Sequence, residues 1–234
     1  MPVPAPEPPP FVGREGLLRR LGELYRAGKH VLLVGQPGAG KSALLAEFSR
    51  THRLLIAPEC GSLGALLEAL EPQLGLEPGD LKIPRRVHRL AAVLPKAGRP
   101  LVLDQVGRVP PKVAHFLRVQ LASQPVWVLA RSTLPLDIGH LWPLLFLFER
   151  IDLPPFSTAE AKEYLSRIPF GGDRIELLAA ARRLHRLSAG HPGTLAALAV
   201  ELRCRAYDLR TLDGLRVLAL HARISLVEEQ IREP

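Results

Sequence analysis

Short runs of consecutive apolar residues alternate, along the first two thirds of the chain, with longer stretches in which apolar residues recur every third or fourth position. The runs are 31–34 (VLLV), 53–57 (RLLIA), 101–103 (LVL), 126–130 (VWVLA) and 146–153 (FLFERIDL), and each predicts a strand. The stretches at 14–27, 41–50, 62–74, 84–97 and 111–122 carry leucine and alanine at helical spacing, and Gly28 supplies a stop for the first of them. Strands alternating with helices in this way predict a five-stranded, mostly parallel sheet covered on both faces.

Beyond residue 154 the pattern becomes wholly helical. Ser157 with Glu160 fits a capping box, and helices are expected over 175–187, 194–205 and 212–231. The predicted organisation is therefore a proline-rich arm at 1–10, an α/β domain at 11–154, and a small helical lid with C-terminal helices at 155–234. The arm, MPVPAPEPPP, cannot build a helix or a sheet ladder and is expected to be extended and disordered.

Composition narrows the class without choosing a function. In 234 residues, 47% hydrophobic and 23% charged is an ordinary globular balance. The longest apolar run, 141–148, falls far short of the ~20 residues of a membrane span, so a cytoplasmic protein with no membrane contact is expected. Cys60 and Cys204 lack metal-ligand spacing and are expected as free thiols. The net charge of +8, carried mainly by arginine, permits attraction to a polyanion. Arg85, Arg86, Arg89 and Arg182, Arg183, Arg186 each form a helical stripe, which could be a solvated face or a nucleic-acid contact.

The strongest chemical signal is Gly35-Gln-Pro-Gly-Ala-Gly-Lys41-Ser42, which satisfies GxxxxGK[ST] between a predicted strand and a predicted helix. Gly38 and Gly40 let backbone N–H groups wrap a phosphate, and the helix dipole opening at Lys41 favours negative charge there. Residues Gly35, Gln36, Pro37, Gly38, Ala39, Gly40, Lys41, Ser42 and Ala43 are thus the expected binding stretch for ATP or ADP. Lys41 is to reach the β- and γ-phosphates, and Ser42 is to hold Mg²⁺. The run 101–103 ends in Asp104, the expected second Mg²⁺ ligand.

With these motifs in place, the chain resembles AAA+ and STAND-type P-loop ATPases, including archaeal ATPases and replication initiators, over roughly residues 11–205. Phe11-Val-Gly-Arg-Glu15 resembles the segment preceding the P-loop in that group, which implies that Val12, Gly13 and Arg14 border the adenine. Arg131, in Ala130-Arg-Ser132, resembles the sensor 1 position. Gly190-His191-Pro192 resembles the GxP motif through which the lid meets the nucleotide, with Pro192 as the contact. Arg150 stands near the place where AAA+ subunits present an arginine finger to a neighbour, so an oligomer is left open; a surface ion pair is the alternative.

One departure matters. Gln105 follows Asp104 where the family usually has an acid that activates water. An amide orients water but cannot take its proton, so slow hydrolysis is expected. Glu59, just after the second strand run, is a candidate displaced base beside Asp104, against the alternative of a loop carboxylate satisfied by solvent. The resemblance implies a nucleotide-controlled conformational switch with a protein partner, and Gln105 keeps a non-hydrolysing scaffold or DNA-recruitment adaptor as the alternative.

Overall fold

A computed structural model describes residues 10–168 and 173–232. The expected disordered arm lies, except for Pro10, outside the described residues. The chain divides into two compact units: one comprises Gly16–Pro37 and Lys41–Leu153, and the other comprises the segment through Glu15, Gly38–Gly40, and everything from Pro154 onward.

The larger unit holds strands β1 (Val31–Val34), β2 (Leu55–Ala57), β3 (Leu101–Val106), β4 (Val126–Ala130) and β5 (Glu149–Asp152) in one sheet of order β2-β3-β4-β1-β5. Every pairing is parallel. Central strands β1 and β4 are buried at every position, as a sheet covered on both faces requires. Around them run α1 (Glu15–Arg26), α2 (Lys41–Ser49), α3 (Leu63–Leu70), α4 (Ile83–Val93), α5 (Pro111–Leu121) and the single turn α6 (Pro135–Ile138). Leu55, Leu67, Leu90, Leu101, Leu117 and Val128 belong to one buried core cluster of this unit.

Two strands differ from the periodicity. β3 continues through Asp104 to Val106, because its register on β4 slips after Leu103 and recovers at Val106 opposite Ala130. β5 begins at Glu149 rather than 146, since Trp142–Leu147 winds into a 3₁₀ turn around Pro143 that leaves Phe146 exposed. The edge strand β2 is short, and the Gln73 amide occupies its free side: Oε1 accepts from the Ile56 N–H at 3.0 Å, and Nε2 donates to the Ile56 carbonyl at 2.7 Å. A side chain that mimics a neighbouring strand in this way blunts the edge against intermolecular pairing.

Glu71, at the end of α3, is buried and receives two arginines from α4. Arg86 Nη2 donates to Oε2 at 2.5 Å, and Arg89 Nη2 donates to Oε1 at 3.0 Å. The Arg86 guanidinium holds the Glu71 carboxyl below its ordinary range against the opposing effect of burial, with Arg89 adding to it.

The smaller unit is helical: α7 (Thr158–Arg167), α8 (Arg174–Ser188), α9 (Pro192–Cys204) and α10 (Leu212–Arg232). Ser157 caps α7 in the expected box, its hydroxyl accepting from the Glu160 N–H while Glu160 accepts from the Ser157 N–H. Leu165, Leu177, Leu184, Leu195, Leu198 and Leu218 form its core together with Val12. Residues 11–15, attached to the α/β domain in the sequence reading, pack with these helices. Cys60 is buried and Cys204 exposed, both free. Among the described residues no helix is long and apolar enough to cross a membrane.

Candidate nucleotide site

β1 delivers the chain at Gly35, whose N–H still donates to Ala130 on β4 at 3.1 Å. The loop then turns through Gly38 at φ +76° and Gly40 at φ +91°, conformations that strain any residue with a Cβ. Gly40 meets nothing within 4 Å where a Cβ would be, so the backbone angle, not crowding, requires it. Ala39 is buried between them. α2 starts immediately at Lys41 and is anchored by buried Leu44, Leu45 and Phe48, which directs the unpaired N–H groups of its first turn at the loop.

Lys41 Nζ donates to the carbonyls of Gly35 at 2.6 Å and Gln36 at 3.1 Å. Partial burial lowers the pKa of this ammonium, and the Asp104 carboxylate works in the opposite direction. The electrostatic field thus couples the two residues that the sequence reading assigned to phosphate and metal. Ser42 and Ala43 lie exposed in the first turn of α2.

Asp104 is 8% exposed, and its Oδ1 accepts from the Gln105 N–H at 2.8 Å. That bond accompanies a left-handed backbone at Gln105, φ +49°, where the register of β3 slips. A non-glycine residue in this region costs about 1 kcal/mol or more, and such strain concentrates at functional positions. The Gln105 side chain is exposed. Glu59 stands two residues beyond β2, also exposed, and β2 lies beside β3 with Ala57 opposite Leu103. The topology therefore brings the end of β2, from which the chain runs on to Glu59, beside β3, which carries Asp104.

Two arginines are internally engaged. Arg131 pairs with Asp137 of α6, and Ser132 Oγ donates to the same carboxylate at 2.5 Å. Hydrogen bonding from Arg131, and then from Ser132, holds the Asp137 carboxyl below its ordinary range. Arg150 pairs with Asp152 on its own strand at 2.7 Å.

In the smaller unit, Arg14 is 5% exposed; its Nη2 donates to the Pro154 carbonyl at 2.7 Å, and its guanidinium lies 5.0 Å from the centroid of the Phe156 ring. Burial lowers its pKa, opposed by Glu160. Gly13, at φ +68°, has no room for a Cβ, which would fall 2.4 Å from Glu160 Oε1. Val12 is buried in the helical core. Pro192 opens α9, and His191 caps it by accepting from the Thr194 N–H.

Gly38 belongs to this unit as well: the Gly193 N–H donates to its carbonyl at 2.9 Å, and a Cβ on Gly38 would come 2.8 Å from His191 Cε1. The motif Gly190-His191-Pro192 pointed to Pro192 as the contact residue in this turn. The contacts to Gly38 come instead from His191, quoted in that motif without a role, and from Gly193, which the motif does not include. Within the larger unit, the first turn of α2 offers unpaired backbone N–H donors, Lys41 a partly desolvated ammonium and Asp104 a buried carboxylate. That is the donor set a nucleoside triphosphate with a divalent cation requires.

A model of the AAA ATPase domain family matches residues 10–168. The tRNA modification GTPase MnmE of Synechocystis is 29% identical over 136 residues, covering 56% of this chain, which in turn spans 27% of that protein's length. Among solved structures, the Aeropyrum pernix Orc1 protein in complex with DNA superimposes with a TM-score of 0.64 at 19% identity, over 94% of this chain and 66% of that one. A Walker-type ATPase of Pyrococcus abyssi gives 0.62 at 18% identity, over 95% and 75%. A STAND protein with a tetratricopeptide repeat sensor from Pyrococcus horikoshii gives 0.53 at 18% identity, over 91% and 33%. At these identities the structural likeness speaks for the fold.

Proposed function

Because the chain belongs to the AAA ATPase domain family, we propose that it binds ATP with Mg²⁺ through residues 35–43 and works in the cytoplasm as a nucleotide-controlled conformational switch that hydrolyses slowly. The observation that carries this reading is the strained Gln105 next to buried Asp104, in a chain whose GxxxxGK[ST] sequence at 35–42 is complete. Lys41 would bind the β- and γ-phosphates, while Ser42 and Asp104 would hold Mg²⁺, whose chemistry is to neutralise charge developing on the phosphates. Val12, Gly13, Arg14 and Pro192 would border the base, and Arg131 would sense the γ-phosphate on release from Asp137. A protein or nucleic-acid partner would read the switch, the latter favoured by the basic charge.

Lys41→Ala should remove tight ATP binding in a direct titration, because no other side-chain cation in the loop can replace it. Unchanged affinity would overturn the assignment. Hydrolysis tests the finer reading: with Glu59 as base and Gln105 orienting water, Glu59→Gln should slow phosphate release about 10²- to 10⁴-fold at unaltered ATP affinity. Gln105→Glu should speed it. The absence of turnover in all three proteins would instead support a non-hydrolysing, ATP-controlled scaffold or DNA-recruitment adaptor, the reading that the neutral Gln105 favours.

A further inference from the structure

We infer that the groove between α7 and α8 anchors the phosphodiester backbone of a nucleic acid through Lys162, Arg182 and Arg186. The groove has a volume of about 410 Å³ and is lined by Thr158, Lys162, Leu178, Arg182, Arg183 and Arg186. Lys162 stands on α7. Arg182 and Arg186 stand one turn apart on α8, about 6 Å along its axis, so both present their charge to the same side.

What distinguishes this face is the absence of counter-charge among the described residues. The acids of α7 and α8 are already committed. Glu160 closes the capping box with Ser157, Glu163 pairs with Arg167, and Glu176 pairs with Arg210. Asp173 caps α8 by accepting from the Ile175 N–H. Arg183 donates to the carbonyls of Leu209 and Arg210 and so fixes the groove wall. Lys162, Arg182 and Arg186 are exposed and make no ion pair among the described residues.

Exposed like charges held beside one another repel, and their field is relieved by an anion that spans them. A polymer of phosphates, each displacing condensed counterions, fits a row of cations on two helices better than a single small anion does. The lining has no large aromatic anchor of the kind on which tight protein interfaces centre.

The inference rests on nucleic acid being a partner of the chain and names the face that holds it; it uses none of the residues assigned to ATP. The test is fluorescence anisotropy with a labelled duplex DNA of about 20 base pairs, and with a single-stranded RNA of that length, between about 50 and 200 mM salt. The triple variant Lys162→Gln, Arg182→Gln, Arg186→Gln should bind at least about tenfold more weakly, with the log–log salt slope smaller by about 2.7 on the duplex (about 0.9 for each cation removed) and by about 2.1 on the single strand (about 0.7 each). The preferred polymer should show the larger loss. Arg85→Gln, on the other arginine stripe, should bind like the parent, and the melting temperature of each variant checks folding. Should the parent bind neither polymer at low salt, nucleic acid is not its partner. Should it bind but the triple variant bind equally well, only the groove assignment fails. Displacement of the duplex by inorganic phosphate at equal phosphate concentration would mark a small-anion site and overturn the proposal.

Discussion

Arg85, Arg86 and Arg89 on α4 have the same spacing as Arg182, Arg183 and Arg186 on α8, and read along the chain the two stripes are indistinguishable. On α4, Arg86 and Arg89 converge on the buried carboxylate of Glu71, leaving Arg85 alone toward solvent. On α8, only Arg183 is tied down, by backbone carbonyls that carry no formal charge, while Arg182 and Arg186 stay open along a groove. The lesson is that a stripe's availability depends on what the fold sets across from it. A carboxylate opposite turns arginine into structure, whereas carbonyls hold the stem and leave the positive charge uncancelled.

The contrast can be broken most forcefully at Glu71. Glu71→Ala leaves two guanidiniums without their shared acceptor, and should cost about 1–3 kcal/mol. Thermal melting should drop by several degrees, at about 2–4 °C per kcal/mol for a chain of this size. The same variant should gain affinity for a polyanion through the released α4 stripe. An unchanged melting temperature would mean that Glu71 does not neutralise α4, and the two stripes would then be alike.

Acid sharpens the comparison. The Glu71 carboxyl is held below its ordinary value of 4.5, so its contribution to stability is complete above that pH and is lost as pH falls through the lower folded-state value. The stability difference between the parent and Glu71→Gln should therefore narrow over that acidic window. A difference that holds constant to the acid limit would contradict the pairing. The smallest effect is expected at Arg183→Ala, which removes hydrogen bonds to the carbonyls of Leu209 and Arg210. It should cost about 0.5–1.5 kcal/mol, and should leave polyanion binding close to the parent's if Arg182 and Arg186 carry the contact.

Much of the fold was legible because its signals are local. The runs 31–34 and 126–130 are strands at the predicted bounds, and the Ser157 capping box needs only residues three apart. Where the periodicity misled, a tertiary feature intervened. The apolar 146–148 reads as strand, but Pro143 winds the preceding segment into a 3₁₀ turn and β5 starts only at Glu149. β3 runs past Asp104 because its neighbour β4 offers Ala130 to pair with Val106 beyond the slip.

The sequence by itself determined a mostly parallel, five-stranded α/β core, the helical unit after it, and the phosphate loop; that every strand pairing is parallel was settled by the fold. Apolar runs, glycines at left-handed turns and a lysine opening a helix act within a few residues of one another. Only the tertiary structure decided that Gly13 is excluded from carrying a Cβ by Glu160, that Arg131 meets Asp137, that His191 and Gly193 contact Gly38, and which arginine stripe keeps its charge. Long side chains and tight backbone approaches take partners that folding brings from elsewhere in the chain, and no local period encodes which partner arrives.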